Sequence, residues 1–295
     1  MNLKLIDAAI ASYTPVLDQK DIKRLELFRL IWEEQEHIAS TTPQWTSPKT
    51  ARIAELAQQG VPLFQETPIT LDEASFLDAI RRIATILNDA EAFTGQTNST
   101  IRDIAWDRVI SEVSLSNAGS QAPRFLESVY TFLEKDGLDR ESARLGALIV
   151  SLALRPFLQH AAEIGSRAFE KASPDIHPLL CPLCGTAPSL ARIAGTASKG
   201  RTRTLWCSQC GAEWEFERVR CARCGTHNQK HLHFHHIQGD ESHRIASCDE
   251  CGGYIRTIYV DEDNLLAPFS FEVEDVLTAR LDAIAANPSF AGGCS

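Results

Sequence analysis

The chain has 295 residues, 44% of them hydrophobic and 23% charged, with a formal net charge of −10. That composition supports a packed core in one large or two medium domains and excludes a disordered chain. The acidic balance argues against a strong nucleic-acid binder, which needs a positive face to meet phosphate.

Met1 to Asp7 does not have the form of a signal peptide, because Asp7 interrupts a short apolar run and no cleavage motif follows. The longest apolar run, Leu145 to Leu154, is far shorter than the roughly 18 residues a membrane span needs. The expectation is a cytoplasmic protein with reduced thiols and no membrane insertion.

Residues 1–175 read as helical throughout, carrying 18 Lys and Arg against 25 Asp and Glu. Ile22, Leu25, Phe28, Ile31 and Trp32 fall on one helical face. Ser47-Pro48 opens a second helix with proline at its first position, and Gly60 stands just past its end. Thr70-x-x-Glu73 reads as a capping box, followed by Phe76, Leu77, Ile80, Ile83 and Leu87 at helical spacing. A further start follows the polar run Thr94 to Ser99, with Ile101, Ile104 and Val109 continuing one pattern. Segments 122–135 and 139–170 complete the set, the last bent near Pro156. The expectation is an all-α domain of six or seven helices, serving as a scaffold or a partner-binding surface.

Ser173-Pro-Asp-Ile-His-Pro178 reads as a linker, since two prolines stop a helix. Beyond it stand four Cys-x-x-Cys pairs, each followed by glycine: Cys181/Cys184, Cys207/Cys210, Cys221/Cys224 and Cys248/Cys251. The intervals are C-x2-C-x22-C-x2-C, ten residues, then C-x2-C-x23-C-x2-C, so one two-knuckle unit is repeated 40 residues on. Two thiolates two residues apart reach one ion from a tight turn. The following glycine takes the positive φ that lets amides face the sulfurs. Two knuckles supply the tetrahedral all-thiolate set of zinc or mononuclear iron, and zinc leads ferrous iron in the affinity order. A disulfide framework would need an oxidising compartment, and thioredoxin-like chemistry a strand-to-helix junction.

β-type runs lie between the knuckles at Thr202–Trp206, Trp214–Val219, His231–Ile237 and Tyr254–Val260. Modules this small build little core, so metal should hold them folded. Glu213, Glu215 and Glu217 alternate as a solvent face, and Trp206 and Trp214 flank the second knuckle as cover for a metal site or a partner rim. His227, His231, His233, His235, His236 and His243 crowd the second unit. His231, His233 and His235 share a strand face that reads as solvated or packed, with a third metal site or a proton relay as alternatives. Arg201, Arg203, Arg218, Arg220 and Arg223 form a local basic patch that leaves a zinc-ribbon nucleic-acid binder as an alternative, and a rubredoxin-type electron carrier is another. After Asp263 the chain turns helical, with Val273, Val276, Leu277 and Leu281 on one face, and ends in a loose Asn287–Ser295 tail in which Cys294 is adventitious. No Ser-His-Asp set, P-loop, GxGxxG or carboxylate pair stands out, so no enzymatic turnover is expected.

The fold class is therefore α+β. A helical domain (1–175) precedes a first four-cysteine rubredoxin-like module (176–218), a second (219–262), and a C-terminal helix and tail (263–295).

Cys181-Pro-Leu-Cys184-Gly, Leu205-Trp206-Cys207-x-x-Cys210-x-x-Glu213-Trp214, Arg218-Val-Arg-Cys221-x-x-Cys224 and Cys248-x-x-Cys251-Gly-x-Tyr254 resemble the formate dehydrogenase accessory protein FdhE family. Gly60-Val-Pro-Leu63 and Leu154-Arg-Pro-Phe-Leu158 add weaker matches. The resemblance implies a cytoplasmic, chaperone-like maturation factor. Such a factor contacts the catalytic subunit of a molybdenum or tungsten formate dehydrogenase before export and is not itself the dehydrogenase. It also implies rubredoxin-like iron sites, one held by Cys181, Cys184, Cys207 and Cys210 and one by Cys221, Cys224, Cys248 and Cys251. That pairing is the simplest, and an interleaved one stays open.

Overall fold

A computed structural model of the chain describes residues 1–90, 95–173, 175–196, 200–260, 265 and 267–286. Among them, nine α-helices occupy the first part of the chain: α1 (Leu3–Tyr13), α2 (Gln19–Ala39), α3 (Thr50–Gln59), α4 (Leu63–Glu66), α5 (Glu73–Asp89), α6 (Gly95–Arg102), α7 (Trp106–Glu112), α8 (Ala122–Lys135) and α9 (Arg140–Ala172). Nine exceeds the expected six or seven. One reason is that the short helix α4 carries no periodic pattern. Another is that Ile101 and Val109 belong to separate helices, α6 and α7.

Capping sets the boundaries. Gly60 ends α3 in the left-handed region at φ 67°. That helix starts at Thr50, so Pro48 lies outside its first turn. The cap of α5 is Asp72, whose carboxylate accepts from the Ser75 amide at 2.9 Å, and Thr70 is not the cap. A carboxylate at a helix N-terminus satisfies an orphan amide and also meets the positive end of the dipole.

α9 is the hub, packing against α2, α3, α5 and α8. Its length and composition would suit a membrane crossing, yet 67% of that apolar window is buried inside the protein, as in a core helix. Pro156 sits inside it and donates no hydrogen bond, which orphans the Leu152 carbonyl one turn back. Gln35 of α2 donates its side-chain amide to that carbonyl at 2.8 Å. A buried polar residue on one helix thus satisfies the defect that proline creates in the next.

The strands are β1 (Leu190–Thr196), β2 (Gly200–Trp206), β3 (Glu213–Phe216), β4 (Leu232–Ile237), β5 (Asp240–Cys248) and β6 (Tyr254–Val260). They form a single sheet in the order β3-β2-β1-β6-β5-β4. Each four-cysteine unit supplies three strands joined antiparallel, and the two units meet where β1 runs parallel to β6, from Leu190↔Arg256 to Ala194↔Val260. The chain then returns to the helices through α10 (Phe271–Thr278) and α11 (Arg280–Ala285). Val273, Val276 and Leu277 pack with Ile6, Leu25 and Trp32. Pro174 of the linker, Cys294 and the tail from Asn287 lie outside the described residues.

Candidate metal centres

All four Cys-x-x-Cys-Gly segments fold the same way. In each, the first cysteine donates its amide to the carbonyl five residues on, and the glycine donates back to the first cysteine's carbonyl. In the first knuckle these bonds are Cys181 to Thr186 at 2.8 Å and Gly185 to Cys181 at 3.0 Å, and in the fourth Cys248 to Gly253 at 2.9 Å and Gly252 to Cys248 at 2.8 Å. The glycine φ values are 77°, 77°, 81° and 66°. A side chain at those positions would be strained, so the glycine is required by the turn.

The knuckles assemble in sequence order. The sulfurs of Cys181, Cys184, Cys207 and Cys210 lie within 4.8 Å of one another, as do those of Cys221, Cys224, Cys248 and Cys251. The cross-knuckle Sγ–Sγ separations are 3.6 Å for Cys181–Cys210 and Cys184–Cys207, and 3.8 Å for Cys221–Cys251 and Cys224–Cys248. A disulfide needs about 2.05 Å. A tetrahedron of sulfurs about 2.3 Å from a central ion has edges of about 3.8 Å. The quartets therefore have the size of a tetrathiolate cage and could each hold one ion. Burial pushes the Cys181 and Cys210 thiols well above their ordinary range, and a divalent ion supplies the charge that reverses this. At the second quartet, burial would raise Cys221, but amide donors from Cys224 and Arg223 outweigh it and bring the thiol down to about 7.

The two quartets differ in their surroundings. Cys181 and Cys207 are 0% exposed and Cys184 and Cys210 1%, inside the main hydrophobic core. α4 is docked there: its first two amides, Leu63 and Phe64, donate to the carbonyls of Pro182 and Leu183 at 2.9 and 3.0 Å. The knuckle thus satisfies the orphan amides of a helix start. From α9, Ser151 bonds Gln209 at 2.7 Å, and Arg155 stacks its guanidinium 5.2 Å from the Trp206 ring centre. The second quartet has Cys224 and Cys251 exposed.

The other sequence candidates take structural places. Trp206 is 1% exposed and stacked on Phe271, and Trp214, 6% exposed, donates to the Pro178 carbonyl, so neither forms a rim. Glu213 and Glu215 face solvent from β3. Several arginines are tied to backbone carbonyls: Arg203 to Arg220, Arg220 to His177 and Gly225, and Arg223 to Tyr254 and Pro188. His233 pairs with Asp249 and His235 with Ser247. Among the described residues, only the two cysteine quartets bring three or more Cys, His, Asp or Glu donor atoms all within 4.8 Å of one another. His243 leaves the histidine group altogether and is buried against α1 and α10, a place that no local spacing signals.

The comparisons with known proteins fall on these residues. The family model described as FdhE, central domain, matches residues 180–218, the first knuckle pair and its strands. A "Protein FdhE homolog" of Aquifex aeolicus is 31% identical over 110 residues, 37% of this chain and 38% of that protein. One of Shewanella sp. (strain MR-4) is 28% identical over 163 residues, 55% of this chain and 52% of that protein. Over these segments the chain resembles FdhE proteins. The Escherichia coli (strain HS) FdhE is 29% identical over 104 residues, 33% of its length. The matches thus span between a third and about half of these curated FdhE proteins. The crystal structure of the FdhE protein from Pseudomonas aeruginosa superposes with a TM-score of 0.51 at 20% identity, over 96% of this chain and 88% of that one, a likeness of fold. The weaker FdhE-like segments seen in the sequence now have a physical place. Gly60–Leu63 leads into the helix docked on the first quartet, and Leu154–Leu158 carries Arg155 and Pro156 on the hub helix.

Proposed function

We propose that this chain is an accessory protein for formate dehydrogenase maturation, that it binds the catalytic subunit in the cytoplasm before export, and that it performs no turnover of its own. The observation that carries this reading is the pair of tetrathiolate-sized quartets in a chain of FdhE type. Cys181, Cys184, Cys207 and Cys210 would hold one ion and Cys221, Cys224, Cys248 and Cys251 the other. Iron is the proposed native occupant, with zinc entering the same sites in recombinant protein, since both accept four thiolates in a tetrahedron. A bound ion supplies charge that keeps buried thiolates ionised and, if iron, a one-electron couple. The chain's own contribution is to set the four sulfurs and to join helices to sheet. A cavity of about 950 Å³ in the helical half, lined by Trp45, Leu71 and Phe157 among others, offers space for a partner segment.

A nucleic-acid reading draws less support, because Arg203, Arg220 and Arg223 are committed to carbonyls within the fold. The test is a host strain lacking this chain, paired with capture of the catalytic subunit on the tagged full-length protein. Loss of formate dehydrogenase activity together with retention of the subunit is expected. Normal activity in the deletion strain with no subunit retained would end the proposal.

A further inference from the structure

Repeated units with the same turn geometry act as controls for one another. All four knuckles share hydrogen bonds and glycine conformation, so any difference between the quartets comes from what packs around them. Around the first, Leu63 and Phe64 cap the knuckle backbone, Leu183 packs in the core, and no cysteine exceeds 1% exposure. Gly165 of α9 is close enough to Leu183 that an added Cβ would lie 3.1 Å from it, so the helix backbone itself closes over the knuckle. Around the second, Cys221 and Cys248 are buried but Cys224 and Cys251 face solvent, one from each knuckle. Among the described residues that knuckle pair is clasped by arginine side chains, Arg220 to Gly225 and Arg223 to Tyr254 and Pro188, and Cys224 and Cys251 stay exposed.

We infer that the two metal sites divide into a permanent staple and an exchange site: the ion held by Cys181, Cys184, Cys207 and Cys210 is locked for the lifetime of the fold, and the ion held by Cys221, Cys224, Cys248 and Cys251 is open to thiolate or chelating ligands from outside. This rests on the metal-binding reading above. Ligand exchange at a tetrathiolate needs an entering donor to approach the ion as a sulfur departs. At the second site Cys224 and Cys251 offer that approach directly, and each departing thiolate recovers a proton from water. At the first, entry requires α4 and α9 to lift away from the knuckles, which is an opening of the core, and core openings are far rarer than local ones. The class of partner that fits the second site is therefore a cysteine-bearing protein or a small thiol that takes or supplies the ion.

The experiment uses the full chain loaded with zinc alone and mixed with excess of the chromophoric chelator 4-(2-pyridylazo)resorcinol. Two phases of equal amplitude are expected, one ion each, with the second at least about a hundredfold slower than the first. Cys251→Ser should remove the fast ion and leave the slow one. Phe64→Ala, which removes no sulfur, should speed the slow phase and leave the fast one unchanged. Release of both ions in one phase, or loss of the slow ion in Cys251→Ser, would overturn the inference while leaving metal binding intact. A chain that takes up no zinc would overturn metal binding itself, and the inference with it.

Discussion

Cys184→Ser is expected to unfold the chain well beyond its own knuckle, whereas Cys221→Ser costs one ion and leaves the helices standing. Binding of a structural ion by four cysteines is worth roughly 10–16 kcal/mol in apparent free energy, as much as the roughly 5–15 kcal/mol that holds a typical domain folded. At the first quartet that energy is tied to the helices, because the knuckle carbonyls of Pro182 and Leu183 receive the amides of α4 and the sulfurs lie in the same core as Phe64, Leu154 and Phe157. Removing the ion there leaves buried thiols without a partner in the centre of the packing. At the second quartet two of the four cysteines are already exposed, and the loss can be absorbed by β4 and β5 toward the sheet edge. Far-ultraviolet circular dichroism through a thermal melt separates the two. Cys184→Ser should lose its cooperative helical transition, while Cys221→Ser keeps helical ellipticity and melts with a lower second transition. Loss of helix in Cys221→Ser would contradict this division.

The second large effect is expected at His243, which is 6% exposed and held between two carboxylates. Its Nδ1 donates to Asp240 at 2.8 Å and its Nε2 to Glu274 of α10 at 2.8 Å. Tyr13 of α1 donates to the same Glu274 at 2.7 Å, and Arg280 of α11 donates to Asp240 at 2.9 Å. The cluster therefore clamps the first helix, strand β5 and the two C-terminal helices together. Burial alone would push the imidazole down, but the hydrogen bonds from its two nitrogens to Asp240 and Glu274 outweigh it and raise His243 to about 9 from 6.5. Because the folded value lies above the unfolded one, this contribution is complete below pH 6.5 and is lost as pH rises through 9, amounting to about 3 kcal/mol. Asp240 runs the other way. Burial would raise it, His243 outweighs that and lowers it to about 2, so its share is present above pH 3.8 and lost as pH falls through 2. Urea midpoints should fall between pH 6.5 and 9.5 in the native chain and stay nearly level in His243→Leu, which should also be less stable by roughly 3–5 kcal/mol at pH 6.5 for stranding two carboxylates. A midpoint that falls equally in both proteins would contradict the clamp.

How much of this was legible in the sequence depended on how local each cause is. The eight cysteines and their glycines announce the quartets because a knuckle is decided by five consecutive residues, and the 40-residue offset exposes the repeat. The apolar positions of the C-terminal segment were equally plain, since Val273, Val276, Leu277 and Leu281 are all buried, but the single helix expected there is two, with Leu281 on α11 apart from the other three on α10. β1 and β5 were not. Leu190–Thr196 is interrupted by Arg192 and Gly195, and Asp240–Cys248 opens with Asp-Glu-Ser-His-Arg, so neither carries an alternating apolar signal. They are strands because Trp206, Arg256 and Ile258 lie beside them, and pairing partners that distant leave no mark on a short window. The same holds for Gln35, whose role is to satisfy a carbonyl freed by a proline 121 positions away. His243 counted by proximity with five other histidines, yet its partners come from both ends of the chain.

The central claim, two tetrathiolate metal sites of four cysteines each in this order, is tested most directly by metal content and the absorption spectrum of protein purified anaerobically from its own host. The account predicts two ions per chain, one per chain in Cys251→Ser, with rubredoxin-like ferric bands on oxidation if iron is the occupant and a featureless spectrum if zinc is. Fewer than one ion per chain, or a content that Cys251→Ser leaves unchanged, would contradict it.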